Sequence, residues 1–234
     1  MGYRENMTNS CVHAYNRGVK KMPIFREKND LLRLFNSLYY FNTTQTMPEN
    51  WIRDVIREGG MQKLVWPSIW EPREPLVSIL ACTIMPNHFH LLLKEKIAGG
   101  ISKFMHRVSM GYSKFINEKY TESGSLFQGA YKARCIDDDA DLKNLVAYIM
   151  IKNSFETYPG GLEKAYKEFD QAYDYALDYP LTSLAEYTGK RKPALLDHNL
   201  LRELFEEPKS FKEFARDCMQ NRFEQMNDYS FEKV

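Results

Sequence analysis

The stretch Leu76-Val-Ser-Ile-Leu-Ala-Cys-Thr-Ile-Met85-Pro86-Asn87-His88-Phe89-His90-Leu91-Leu92-Leu93-Lys94 decides the fold. Its first ten residues are an apolar, partly β-branched run of the length of a buried strand. Pro86-Asn87 makes a tight turn, and residues 88–94 return as a second strand. Alternation along a strand sends residues i and i+2 to the same face. His88 and His90 therefore present two imidazoles side by side, while Phe89 points the other way into apolar packing. Two neutral imidazoles on one rigid strand can bind a divalent metal. The plainer reading is a histidine pair at a strand edge that faces solvent.

Working outward, Cys11-Val-His-Ala-Tyr-Asn-Arg-Gly18 reads as a first strand that ends at a glycine turn. Residues 25–41 carry Leu31, Leu34, Phe35, Leu38 and Tyr39 at helical spacing and predict a first long helix. Residues 44–75 have little period and several prolines, which suits a loop-like insertion with one short helix near 51–57. After Gly99-Gly100, residues 101–120 predict a second long helix, with Ile101, Phe104, Met105, Val108 and Tyr112 on one face. A fourth strand is expected over 126–136. The acids Asp137 to Asp141 then cap a third helix running to about 155. The order β-α-β-β-α-β-α is the split βαβ of a ferredoxin-like α+β fold, with one antiparallel sheet and helices on one face. Residues 1–155 would form the main domain, and 156–234 a helical C-terminal extension with short helices near 199–205 and 209–219.

The chain has 234 residues, 44% hydrophobic and 27% charged, which fits a folded globular protein rather than a disordered one. No apolar run approaches the roughly 18 residues of a membrane span, and Met1 to Ser10 is polar with no signal-peptide core, which points to the cytoplasm. Cys11, Cys82, Cys135 and Cys218 are scattered without a Cys-x-x-Cys pair and read as reduced packing residues. Net charge is +1, but residues 1–28 carry +4, residues 94–134 carry +5 and residues 156–234 carry −5. A basic core beside an acidic tail is compatible with a polyanionic partner on one face.

The third helix holds Tyr148 at the margin of a stripe made by Leu142, Leu145, Val146 and Ile149. A tyrosine there is ordinarily an amphipathic packing residue. The alternative is a phenolate nucleophile aimed at the histidine pair, with a metal polarising the phosphoryl oxygens. Tyr112, also on a helix, is a competing nucleophile. His13, His106 and His198 have no partner at ligand spacing and read as ordinary surface or core residues.

Several pieces together resemble the single-tyrosine transposases with a His-hydrophobic-His (HUH) motif, in their REP-associated branch. They are Met85-Pro-Asn-His-Phe-His-Leu-Leu-Leu93, His13-Ala-Tyr-Asn-Arg-Gly-Val19, Tyr112-Ser-Lys-Phe-Ile-Asn117, Gly124-Ser-Leu-Phe-Gln-Gly-Ala-Tyr-Lys132, Tyr148-Ile-Met-Ile and Tyr179-Pro-Leu-Thr-Ser183. The likeness runs over roughly residues 11–218. It implies a bacterial, cytoplasmic enzyme that cleaves and rejoins single-stranded DNA at palindromic hairpins, as monomer or homodimer. By resemblance, His88 and His90 would hold Mg²⁺ or Mn²⁺, and Tyr148 would form a 5′-phosphotyrosyl intermediate. Arg17, Lys103, Arg107, Lys114, Lys132, Arg134 and Lys152 would contact the DNA by phosphate neutralisation.

One position departs from the family. Its third metal ligand, an amide, stands four residues after the nucleophile, where this chain has Lys152; the amide comes one later, at Asn153. An ammonium donates but does not ligate a cation. Four outcomes are open: the helix shifts to bring Asn153 round, the metal keeps two protein ligands, Lys152 contacts the phosphate, or this copy only binds DNA. A hairpin-DNA binder without catalysis is thus one alternative function. A metal-dependent phosphodiesterase or RNA-processing enzyme, in which water attacks and Tyr148 merely packs, is another.

Overall fold

In the computed structural model, which describes residues 11–59, 63–192, 194–205 and 207–221, β2 (Val77–Met85) and β3 (His88–Glu95) form the expected hairpin. The polar segment 1–10, on which the absence of a leader was read, lies outside the described residues. β3 pairs antiparallel with β1 (Cys11–Arg17), and β1 with β4 (Lys132–Ile136), in the sheet order β2-β3-β1-β4. Helix α1 (Lys28–Tyr40) joins β1 to β2, with α2 (Trp51–Glu58) inside the connection, and α3 (Gly100–Tyr120) joins β3 to β4. This is an α+β, split βαβ arrangement. Gly18 closes β1 because the chain turns hard there: a Cβ on it would lie 2.1 Å from the Met22 carbonyl oxygen.

The pleat of β3 divides the core in two. Phe89, Leu91 and Leu93, with Val12 and Ala14 of β1, pack against Leu34 and Leu38 of α1 and Phe104, Val108 and Tyr112 of α3. Leu92, with Leu80 and Ala81 of β2, packs on the opposite face against Leu145, Val146 and Ile149. Helices thus cover both faces, where the sequence pattern had suggested one. The reason is visible in β2, buried at all nine positions: a strand apolar on both sides needs a layer on each.

The chain after β4 supplies that second layer. Asp138 caps α4 (Asp139–Ala147) by accepting from the Ala140 and Asp141 amides at 2.7 and 3.0 Å. A π-helical turn, Tyr148–Lys152, follows, and then α5 (Asn153–Phe155). Beyond it come α6 (Gly161–Lys167), α7 (Phe169–Asp178), α8 (Leu184–Tyr187), α9 (His198–Leu204) and α10 (Pro208–Asn221). α9 and α10 match the expected short helices; α6 to α8 went unread. Phe169, Leu184, Leu201 and Phe211 from this segment share one core with α4. Two single bridges, Thr83 to Thr182 and Ile79 to Leu196, tie it to β2. The buried Glu186 carboxylate accepts from the Ala194, Leu195 and Leu196 amides at 2.7 to 2.9 Å and clasps the loop between α8 and α9.

β4 is shorter than expected. Residues 126–131 form a connection in which Leu126 accepts from the Val19 amide and Gln128 donates to Arg17. Phe127 leaves the strand path to stand edge-on to Phe89, with ring centres 5.7 Å apart. Cys82 and Cys218 are buried, whereas Cys135 is exposed on β4 instead of packed. No helix among the described residues is long and apolar enough to cross a membrane.

α1 and α3 are clasped through Asp30, which is fully buried and accepts from Lys119 Nζ at 2.5 Å, Tyr120 Oη at 2.7 Å, and the Arg26 and Glu27 amides. Burial alone would raise this carboxyl; the four donors outweigh it and hold it below its ordinary value. Its contribution to stability is therefore complete above about pH 4 and is lost as pH falls through the depressed value. Urea denaturation over an acid pH series should show wild type losing stability more steeply than Asp30→Asn. Parallel acid limbs would remove Asp30 as a clasp.

Candidate active site

On the face of the sheet that carries Leu92, the strands place polar rings where the pattern would otherwise place aliphatics. Cross-strand partners share a face: Tyr15 lies opposite His90, and Arg17 opposite His88. His13, two residues before Tyr15, is on the same face, and its Nε2 lies 2.8 Å from His90 Nδ1. The His13 and His90 rings stack with centres 5.0 Å apart, and His88 stands perpendicular to His90 at 5.1 Å. The Tyr148 ring meets His90 edge-on at 5.4 Å and His13 at 6.3 Å. His88 Nδ1 pairs with Asn87 Oδ1 at 2.6 Å.

Two sequence expectations change here. Tyr148 is not at the margin of its stripe but buried, 2% exposed. His13, read as an ordinary residue, is the hydrogen-bond partner of a site histidine. Strand alternation would have revealed it, since Val12 and Ala14 face the other core.

Burial governs the protonation of this cluster. It lowers His13 and His88 to about 3, helped by Arg134 at His13 and by Arg17 and Lys152 at His88. It takes His90 well below the usual imidazole range, with His13, His88 and Lys152 adding to the effect. All three imidazoles are neutral near pH 7 and so retain lone pairs. Burial, then Glu156 and Tyr15, raise Tyr148, so its phenol is held protonated.

The π-turn decides which side chains accompany Tyr148. The Asn153 amide donates to the Tyr148 carbonyl, a five-residue step where an α-helix takes four. One turn on from Tyr148, on the same side of the helix, is therefore Asn153. Lys152 is also buried; its ammonium lies 5.1 Å from the centre of the Tyr148 ring and pairs with Glu156. Asn153 is fully buried, and neither its Oδ1 nor its Nδ2 has a hydrogen-bond partner among the described residues. A buried amide is normally paired. An amide oxygen one turn from Tyr148, and neutral imidazoles of which His90 meets the Tyr148 ring, are donor types that suit a divalent cation, so these residues fit such a group. No group of three or more His, Cys, Asp or Glu able to hold a metal occurs among the described residues.

Tyr112 is on the wrong side of the sheet. It is buried in the α1–α3 core, and its hydroxyl donates to the Ile24 carbonyl at 2.7 Å. The basic residues named from sequence divide likewise. Arg17, Lys132 and Arg134 lie on the Tyr148 side, with Lys132 and Arg134 directly opposite Tyr15 and His13, and Arg134 pairs with Asp141 at 3.0 Å. Arg17 and Lys132 also line a cavity of about 300 Å³ with Asn16, Lys21 and Gln128. Lys103, Arg107 and Lys114 are on α3, behind the opposite face. Lys103 and Arg107 bond the Thr44 and Thr43 carbonyls, and Lys114 pairs with Glu118. A larger cavity of about 850 Å³ runs along that part of α3 and contains no histidine or tyrosine.

No curated protein matches the sequence. Among solved structures, a REP-associated tyrosine transposase bound to a REP hairpin is similar at 12% identity and a TM-score of 0.47, over 83% of this chain and 90% of that one. Residues 73–152 match the family model described as "Transposase IS200 like". That span opens just before β2 and closes on Lys152, so it takes in His88, His90 and Tyr148. Over this segment the chain is similar to the IS200-like transposases; His13, Tyr15, Arg17 and Asn153 lie outside the matched residues.

Proposed function

We propose that the protein is a metal-dependent strand transferase for single-stranded DNA, working at hairpins through a covalent 5′-phosphotyrosine. The observation that carries this reading is the convergence of one buried tyrosine, two neutral imidazoles and an orphaned amide on a single face of the sheet. His88, His90 and Asn153 would hold Mg²⁺ or Mn²⁺. In the tautomer with protons on Nδ1, His88 donates to Asn87 and His90 to His13, which puts each ring's lone pair on Nε2. When bound, such a cation supplies positive charge beside the phosphoryl oxygens.

The chain's own groups do the rest. Tyr148 Oη attacks the scissile phosphorus and loses its proton; the P–O3′ bond breaks, and the departing 3′ oxygen takes up a proton. One phosphodiester replaces another, so the free 3′-hydroxyl can attack the adduct and rejoin a strand with no further energy source. The Lys152 ammonium, close to the phenol ring, offsets the negative charge that develops on Oη and the phosphate. Arg17, Lys132 and Arg134 flank the site and suit the backbone of the strand. Lys103, Arg107 and Lys114 would meet only DNA that wraps to the far face. Coupled transport of a DNA element, or action on dispersed repeats, would both use this chemistry.

Two measurements test the reading. On denaturing gels with hairpin single-stranded DNA and Mn²⁺, wild type and Tyr112→Phe should form a covalent adduct, and Tyr148→Phe should form none. An adduct surviving in Tyr148→Phe would overturn the nucleophile; hairpin binding with no wild-type adduct would leave a binding module. Second, Asn153→Ala should weaken Mn²⁺ binding in a calorimetric titration by about tenfold or more, while Lys152→Ala should not weaken it. The reverse ranking would remove Asn153 as a ligand.

A further inference from the structure

The π-turn that brings Asn153 round is held by hydroxyls from outside the helix. In an α-helix the Asn153 amide would donate to the Ile149 carbonyl; here it goes to Tyr148. The Ile149 oxygen instead accepts from Thr83 Oγ1 at 2.5 Å. Thr83 belongs to β2 and lies directly opposite His90 in the sheet. Its hydroxyl is 3.1 Å from Thr182 Oγ1, on the segment between α7 and α8, which in turn lies 3.3 Å from the Met150 carbonyl. Ser154 Oγ, within the helix, donates to that same oxygen at 3.0 Å. Thr83 and Thr182 are both fully buried, so no solvent can replace them.

We propose that Thr83 and Thr182 are positioning residues whose hydroxyls keep the π-turn open and thereby set Asn153, not Lys152, one turn from Tyr148. The proposal rests on the reading of Asn153 as a ligand, and it adds that the register is imposed from β2 and the C-terminal segment. The physical argument is the balance of one carbonyl. π-turns are rare because α-geometry is the better helix, and a buried oxygen left without a donor is unfavourable. With Thr83 present, Ile149 is satisfied without the Asn153 amide, and the wider turn stands. With valine there, the helix recovers a donor for Ile149 only by tightening to α. Tightening rotates Asn153 by about 100° off the Tyr148 side.

The test uses the full-length protein and the double variant Thr83→Val/Thr182→Val, with Thr83→Ser/Thr182→Ser as the conservative control. Without metal, NMR scalar coupling through the hydrogen bond reports whether the Asn153 nitrogen pairs with the Tyr148 or the Ile149 carbonyl. The coupling should move from Tyr148 to Ile149 in the valine variant and stay at Tyr148 in the serine variant. The Mn²⁺ dissociation constant should rise about tenfold or more in the valine variant alone. Coupling that stays at Tyr148 in the valine variant overturns the proposal. Coupling that moves in a protein whose wild type binds no Mn²⁺ upholds the positioning and refutes the ligand reading. Should the double variant fail to fold, deletion of Lys152 decides the matter, because it places the amide four residues after Tyr148 in a plain α-helix. Thr83→Val should then lower the melting temperature less in the deletion background than in wild type; an equal drop would overturn the proposal.

Discussion

Period-two alternation on β3 is the constraint from which the rest follows. Phe89, Leu91 and Leu93 face one layer, and His88, His90 and Leu92 the other. A one-residue slip would exchange the two sets, which pairing on both sides of the strand prevents: β1 and β2 each match it over most of its length. With the register held, α1 and α3 take the wholly apolar face. The opposite face then mixes imidazoles with aliphatics, and only the helix containing Tyr148 and the C-terminal segment remain to cover it.

Much of this was legible in the sequence because it depends on local period. The hairpin, the long helices, the acid cap before α4 and the placing of His88 and His90 all follow from spacings of two or 3.6. What escaped depends on partners distant in the chain. The covering of both sheet faces was hidden because the helices that form the second layer come last and have weak individual patterns. His13 looked isolated because its partner is 77 residues away. The amide was seen at 153 and expected at 152, and no local propensity reveals a π-turn whose carbonyls are satisfied by Thr83 and Thr182. The basic residues of α3 were credited to the site because charge along a sequence carries no information about which face of the sheet it reaches.

The same face concentrates groups that ordinarily avoid a dry interior. Burying unpaired polar atoms is unfavourable by a few kcal/mol each, yet His13, His88 and His90 are buried together with Tyr148, Lys152 and Asn153. Most are reconciled locally: His90 with His13, His88 with Asn87, Lys152 with Glu156. Asn153 finds no such partner among the described residues, and the proposed function gives its oxygen a cation. Burial also keeps the imidazoles unprotonated, so the surroundings that penalise these groups are those that leave their lone pairs in place.

The bridge between Thr83 and Thr182 also orders events in time. Translation proceeds from the N-terminus, so the sheet, the histidine pair and Tyr148 are all synthesised before the residue that braces the turn. A chain whose synthesis stopped soon after α5 would have His88, His90, Tyr148 and Asn153 and the α1–α3 layer. It would lack the hydroxyl of Thr182, and Leu80 and Leu92 would lie under an incomplete cover. The turn that carries Asn153 is thus contacted by a residue made after every side chain on the candidate-site helix.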